Sequence, residues 1–514
     1  MEYTLNRQAV TVNEVVFDSV QEQPVDLDVT LPDYCPDIQK ILKCQIYPCV
    51  TAKSILSDSL EVSGSVTLRL LYLDAGGSQI RCYENSSPFS MTVSLRRSVG
   101  NALAYTTTQV EYVNCRAASP RRLDIHGAFS LRAKVVEQAE TRVLCGIEGD
   151  DVQQRRQKIA VSRVAGASQQ QFSLEEVLEL GGGKPPAETV LRTDAVVDVD
   201  DVKTLDNKVI VKGNVRVKVL YLSGLGDGAP ETMEYAIPYS QMLDCAGVGD
   251  SCDCDVQVDV MHTRVGLKSD SSGENMLMDV EVRLIAYINA YEDTELEIVT
   301  DVYSTKYEVS VEQEQKSFMK LLCSVEDSCP QKNTFPFEES GISKVIDVWN
   351  ESSQVTAQLE EGNLLYKGRF NLCLLALNGD GKPFYFERML EFRYGRESDQ
   401  GTEDLRCDCS VSVGNISYRL TGTAGIEVKT DLRLEATLYR QSLYRVISEA
   451  APNEEQPKSR DEQAALILYY AGAGEDLWGI AREYCTSVEA IQKENGLESE
   501  QQQVAEAGML LIPV

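Results

Sequence analysis

The sequence has very few histidines, and its basic residues are outnumbered by acidic ones. Two histidines, His126 and His262, occur in 514 residues, and 49 lysines and arginines stand against 80 aspartates and glutamates, giving a formal net charge of −31. Nucleophilic catalysis by cysteine or serine generally needs a histidine base within reach. Two distant histidines also leave no obvious zinc site. The sequence therefore predicts a protein that is not an enzyme and holds no metal or cofactor.

Long apolar runs are also missing. No stretch approaches the roughly 18 apolar residues that a membrane helix needs, and residues 1–7 lack the apolar core of a secretion signal. We therefore expect a cytoplasmic protein without membrane insertion. Its acidity should repel nucleic acid and favour a basic partner, although the simpler interpretation is that it keeps a repetitive β-protein soluble.

The fifteen cysteines are odd in number and scattered, which predicts free thiols in a reducing compartment. Two Cys-Asp-Cys triplets, at 252–254 and 407–409, suggest metal ligands at first sight. Both triplets, however, lie in alternating strand patterns that place the two thiols on the apolar face. Because buried cysteine behaves as a small hydrophobe, we favour core thiols over a metal site.

One alternating pattern recurs three times along the chain, at 62–73, 209–222 and 366–377. In the second copy, valines at every other position alternate with lysine, asparagine and arginine, which is typical of a strand with one buried and one solvated face. The copies share a glycine, and Gly64, Gly213 and Gly368 are 149 and 155 residues apart. The second spacing also relates the two Cys-Asp-Cys triplets. The chain is therefore predicted to be a three-fold repeat.

The remaining elements of a repeat follow from local signals. Proline at 36 with Ile38, Ile41 and Leu42 at helical spacing predicts a short helix over 36–43. A turn rich in glycine, asparagine and aspartate follows each central strand and predicts a hairpin. Two further strand patterns close each repeat. After the third repeat, residues 450–461 have two prolines and no apolar period, which predicts an extended, mobile linker.

These patterns predict a mainly β fold with three tandem β-sandwich-like repeat domains and a small C-terminal β-α-α-β domain. We expect the first repeat at 1–165, the second at 166–315, and a divergent third at 316–448. A linker at 449–464 then leads to the terminal domain at 465–514.

The terminal domain has a recognisable order of elements. A strand at 467–470 precedes a helix that begins after Asp476, and a second helix begins after the N-cap Ser487 and stops at Asn495-Gly496. A strand at 509–512 closes the unit. The sequence Gly-Glu-Asp-Leu-Trp-Gly-Ile-Ala at 474–481 resembles that of a LysM domain.

The LysM resemblance implies a ligand site in the two loops that flank the helices. Such domains typically hold N-acetylglucosamine-containing polymers, and Trp478 would belong to the core. Glu475 and Asp476 replace the usual Asp-Thr, and a cytoplasmic chain does not meet peptidoglycan, so a protein ligand is the alternative. The loop residues carried over by position are Gly474, Glu475, Asp476, Asn495, Gly496 and Leu497.

The repeats resemble the spore coat structural (SPOCS) repeat through Pro-Asp-Ile-x-Lys-Ile-Leu at 36–42, the glycine strand, and Ile-Pro-Tyr-Ser at 237–240. SPOCS repeats followed by LysM form the layout of SipL-like morphogenetic proteins of spore-forming Clostridia. The resemblance implies a sporulation scaffold in the mother-cell cytosol, at the forespore surface, that binds the coat-basement ATPase SpoIVA and other coat proteins. Uncovered strand edges would allow self-association. The alternative is a cell-wall protein that binds peptidoglycan through LysM.

Overall fold

The computed structural model describes residues 3–77, 79–225, 228–337, 341–360, 362–398, 404–422, 425–458, 465–499 and 501–513. Most of them lie in strands, so the prediction of a mainly β fold is confirmed. The first repeat contains β1 (Thr4–Thr30), β2 (Ile38–Leu56), β3 (Ser59–Asp74), β4 (Ile80–Ser94), β5 (Ala102–Ser119) and β6 (Arg122–Glu148).

The second repeat has the same six strands, and the third splits one of them in two. The second contains β7 (Val152–Glu179), β8 (Ala187–Leu205), β9 (Lys208–Ser223), β10 (Pro230–Asp244), β11 (Asp253–Lys268) and β12 (Leu277–Ser304). The third contains β13 (Tyr307–Pro336), β14 (Lys344–Trp349), β15 (Ser353–Glu360), β16 (Asn363–Leu377), β17 (Pro383–Glu397), β18 (Leu405–Leu420) and β19 (Gly425–Pro457).

Each repeat forms two antiparallel sheets that share a core. In the first repeat the sheets have the orders β1-β6-β5 and β2-β3-β4, and the second repeats them as β7-β12-β11 and β8-β9-β10. In the third, β16 pairs with β14, β15 and β17, opposite β13-β19-β18. The alternation predicted for the central strand is confirmed, because Val211, Val215 and Val217 are buried in the second core while Lys212 is exposed.

The shared glycine of the central strand lies where the neighbouring strand approaches closely. A Cβ atom on Gly213 would lie 2.0 Å from the Asp198 carbonyl oxygen and 2.8 Å from the Tyr239 hydroxyl. Gly64 and Gly368 have the same surroundings, with Phe89 and Phe392 in the place of the tyrosine. Only glycine leaves room for both the carbonyl group and the aromatic ring, which explains its recurrence.

The predicted helix at 36–43 is wrong, because these residues enter the strand β2. The pairing of β2 with β3 shifts register after Ile38 and again after Ile41, and β8 shifts at both positions 149 residues later. A bulge inserts an extra residue and resets the alternation of faces. Ile38 and Ile41, three positions apart, therefore both pack on the core of the first repeat, and Leu42 is buried in a separate cluster. This spacing imitates a helical period.

Three long antiparallel strand pairs extend beyond the sandwiches and pack together. They are β1 with β6, β7 with β12, and β13 with β19. Leu144, Val302 and Ile447, one from each pair, lie in a single core cluster. The predicted boundaries at 165/166 and 315/316 fall inside β7 and β13, whereas successive repeats are connected by short turns at 149–151 and 305–306. The division into domains stays a prediction.

The predicted linker at 449–464 is wrong over its first part. Strand β19 continues to Pro457 and pairs with β13, with Ala450 opposite Val311. Ala450 is 6 % exposed and joins the core shared by the three long strand pairs. Packing on this core holds the segment in the sheet although its sequence lacks an apolar period. Residues 459–464 of the predicted linker lie outside the described residues.

The central sheets of the repeats also meet in a three-way junction. Contacts run from β4 to β8, from β10 to β14, and from β17 back to β2. Leu71, Leu220 and Leu375, at equivalent positions of the three central strands, share one buried cluster. Each repeat therefore contacts the next, and the third contacts the first. A head-to-tail arrangement that closes in this way is a ring.

Candidate functional site

The terminal unit is a small domain with its own core. It contains β20 (Leu466–Ala471), α1 (Leu477–Glu483), α2 (Val488–Asn495) and β21 (Gly508–Pro513), and β20 pairs antiparallel with β21. The Ser487 side chain caps α2 by accepting from the Ala490 amide at 3.1 Å, and Gly496 ends it with a φ of 62°. The predicted cap and stop of α2 are both confirmed.

The first predicted loop is held by contacts to neighbouring groups. The Glu475 carboxylate accepts hydrogen bonds from the Tyr469 hydroxyl and the Gly472 amide, and the bond from Tyr469 lowers the pKa of Glu475. Asp476 caps α1 through the Trp478 amide. Gly474, at a φ of 82°, provides the turn before them. Both carboxylates therefore already have partners.

The second predicted loop is tied to the closing strand β21. The Asn495 side-chain amide donates to the Leu511 carbonyl and its oxygen accepts from the Leu511 amide, both at 2.7 Å. Leu497 is half-buried and packs on the core of the unit. The first loop instead hydrogen-bonds to the segment at 502–504. The six predicted residues thus support the fold of the unit, in two separately anchored loops.

The terminal unit docks on the end of the second repeat. Arg155 of β7 binds the Asp476 carboxylate at 2.7 Å, and Asp301 of β12 accepts a hydrogen bond from the Trp478 indole at 2.8 Å. Arg482 pairs with the same Asp301 at 3.0 Å. The chain thus uses the start of α1 and one face of that helix for contact with its own repeats.

Tyr303 is the apolar centre of this docking contact. Its ring meets the Trp478 ring edge to face, with centroids 4.8 Å apart, and its hydroxyl donates to the Thr486 carbonyl at 2.8 Å. Burial raises the pKa of Tyr303, so the hydroxyl remains a donor. Trp478 is buried as predicted, but against the second repeat as well as its own unit. The sequence gives no signal for this contact, because the partners are about 180 positions apart.

One group of side chains could hold a cation by composition. Ligand atoms of Glu351, Cys373 and Glu387 lie within 4.8 Å of one another in the third repeat. Lys43 of the first repeat, however, approaches Glu387 at 2.6 Å and Glu351 at 3.3 Å. Burial raises the pKa of the Cys373 thiol, which opposes the thiolate that a metal needs. The group is a junction between repeats in which the lysine supplies the positive charge.

The Cys-Asp-Cys triplets contribute to the cores. All fifteen cysteines are free thiols. Cys252 and Cys254 contact the core of the second repeat, and Cys407 and Cys409 that of the third. Among the described residues, neither triplet belongs to a group with the spacing of a metal site.

The fold and the terminal unit define a class of protein: three β-repeats followed by one small β-α-α-β unit. Residues 37–118 and 186–268 match the family model described as SipL, SPOCS domain. The matched segments cover β2–β5 and β8–β11, the equivalent parts of the first two repeats. The first two repeats thus each contain a SPOCS domain similar to that of SipL, a structural domain family related to sporulation.

No curated protein and no solved structure matches the chain. In the part of the chain that the structure describes, the helices are too short and too polar to span a membrane.

Proposed function

We propose that this protein is a non-enzymatic adaptor in spore coat assembly, which binds the coat-basement ATPase SpoIVA in the mother-cell cytosol at the forespore surface. The match of two repeats to the SipL SPOCS model supports a role in sporulation. The resemblance of the terminal unit to LysM supports a recognition function for that unit.

The observation that carries the proposal is the division of the molecule into a large closed body and one small unit. The three repeats share one buried cluster among the long strand pairs and another among the central sheets. The terminal unit has a separate core and is held mainly by Tyr303 and a few ion pairs. Such a body can position other coat proteins while the unit binds SpoIVA.

A protein ligand fits the terminal unit better than a glycan. Sugar hydroxyls need free polar groups at their binding site, whereas Glu475, Asp476 and Asn495 all bond to groups of this chain. Glycan binding through the two loops would require these contacts to break. The cell-wall alternative is therefore less well supported.

The experiment is direct titration of purified SpoIVA with the full chain and with a chain ending at residue 458. We expect saturable binding to the full chain and its loss on truncation. Circular dichroism of the truncated chain must still show the β signal of the repeats. Equal binding by both chains, or binding by neither, would refute the proposal, and retention on purified sacculi would support the cell-wall alternative.

A further inference from the structure

The terminal unit has a second surface apart from the two loops and α1, the outer face of its two-stranded sheet. Side chains alternate between the faces of a strand. In β20, Ile467, Tyr469 and Ala471 point inward and pack on the core of the unit. The other three side chains of β20, and their partners on β21, form the outer face. Its cross-strand pairs are Leu466 with Pro513, Leu468 with Leu511, and Tyr470 with Met509.

This outer face is apolar and uncovered. Leu468 is 66 % exposed, Tyr470 73 % and Met509 64 %. Of sixteen large apolar residues that are exposed in the described part of the chain, four lie on these two six-residue strands. Isolated exposed apolar residues are ordinary, whereas a contiguous apolar patch marks an interaction site. Docking to the second repeat leaves this patch free, since docking uses α1.

We propose that the outer face of β20 and β21 binds a protein surface that is apolar at its centre and basic at its margin. This inference rests on the proposed function and identifies which part of the terminal unit meets the partner. Six residues of strand span about 20 Å, which suits an amphipathic strand or a short helix of the partner.

The negative charge of the terminal unit favours a basic partner. From Ala471 onward the unit has eight acidic residues and two basic ones, and one of the bases, Arg482, already pairs with Asp301. A unit with this excess of acidic residues attracts basic side chains and repels acidic ones. A second copy of this chain, with its net charge of −31, is therefore disfavoured on this face.

The chemistry of the face also disfavours a glycan. Of its six side chains only Tyr470 carries a polar atom, its hydroxyl. A sugar polymer on this face would lose water from its hydroxyls without recovering hydrogen bonds. Apolar side chains of a protein lose no such bonds.

The test is titration of purified SpoIVA with the full chain carrying Leu468→Glu or Tyr470→Glu. Both side chains are outside the core, so melting temperature should be unchanged. We expect each substitution to weaken binding by about tenfold or more, as loss of a central apolar contact does. Binding by the unsubstituted chain should weaken at high salt. Ser499→Glu adds the same charge at an exposed position off the face and should bind like the unsubstituted chain.

The outcomes separate this inference from the proposed function. If the unsubstituted chain binds SpoIVA and the two face variants bind equally well, the inference is wrong and the adaptor function stands. If the unsubstituted chain does not bind SpoIVA, the proposed function is wrong, and the inference falls with it. Loss of self-association in the face variants, measured by sedimentation, or loss of chitohexaose binding, would assign the face to another ligand and overturn the inference.

Discussion

Single residues explain why one strand pattern recurs three times. The central-strand glycine lies between a carbonyl group of the preceding strand and an aromatic ring of the following one. Tyr72 and Tyr221, also at equivalent positions, each donate a hydrogen bond to a proline carbonyl 36 residues earlier. The residues that recur in the sequence are therefore those that make equivalent contacts within each repeat.

The glycine position gives a stability prediction. Gly213→Ala places a Cβ atom 2.0 Å from the Asp198 oxygen, so the strands must separate. We expect a loss of about 1–3 kcal/mol in the free energy of unfolding, as for other overpacked sites. Gly249→Ala, where nothing lies within 4 Å, is the control and should be near neutral. Chemical denaturation of both variants measures the difference, and equal stability would contradict the close approach.

A partly buried lysine between the first two repeats gives a pH prediction. Lys53 donates to the Ala104 carbonyl and the Tyr287 hydroxyl at 2.7 and 2.6 Å, and burial lowers its pKa from 10.5 to about 8. Between these values the unfolded chain binds more protons than the folded one, so stability rises with pH. Burial raises the pKa of Tyr287, which opposes this rise only above pH 10.

We expect the lysine to add about 2 kcal/mol to the free energy of unfolding between pH 8 and pH 10. The measurement is denaturation at a series of pH values, for the unsubstituted chain and for Lys53→Met. As pH rises, the free energy of unfolding of the unsubstituted chain should increase relative to that of Lys53→Met. A constant difference would show that the folded lysine titrates normally.

At the level of elements, the sequence predicts the strands and helices that are determined by residues close together in the chain. Period-two patterns locate the central strands, and the cap at Ser487 and the stop at Gly496 locate α2. The predicted helix at 36–43 is wrong because two bulges interrupt the alternation of faces in β2. The predicted linker fails because packing between repeats extends β19. No sequence pattern near α1 predicts its docking on Arg155 and Asp301.

The docking contact gives a prediction at this scale. Tyr303→Ala removes the ring that meets Trp478 and the donor to Thr486. Because the remaining ion pairs are partly exposed and weak, we expect the unit to undock while staying folded. Amide hydrogen exchange in α1 should become faster by about tenfold or more, in line with a loss of about 2 kcal/mol. Tyr112→Ala, at a half-exposed tyrosine of the first repeat, should leave α1 unchanged.

At the level of the whole molecule, closure of the three repeats is the property that sequence patterns do not contain. The equivalent leucines at the junction are visible in the repeat, but their mutual contact depends on how the sandwiches are placed. The buried pair of Arg192 and Asp347, at 2.8 Å, joins the second repeat to the third across 155 positions. Asp347 lies at a position where the third repeat departs from the others, so repeat comparison does not predict the pair.

Because the three repeats close on one another, a destabilising substitution at the junction should lower the stability of all three. Leu220→Ala, in the shared cluster, should lower the free energy of unfolding by about 2–5 kcal/mol. Fluorescence probes placed separately in the three repeats should all report earlier unfolding. Leu205→Ala, at an exposed leucine of the same repeat, is the control. Earlier unfolding of the second repeat alone would mean that the repeats are independent.

The most direct test of the adaptor account is affinity capture from a lysate of sporulating cells, with mass spectrometry of the captured proteins. The full chain and a chain ending at residue 458 serve as baits. We expect SpoIVA to be captured by the full chain and to be absent from the truncated one, while other coat proteins remain with both. Capture of wall fragments by the full chain, without SpoIVA or any coat protein, would contradict the account and favour a cell-wall protein.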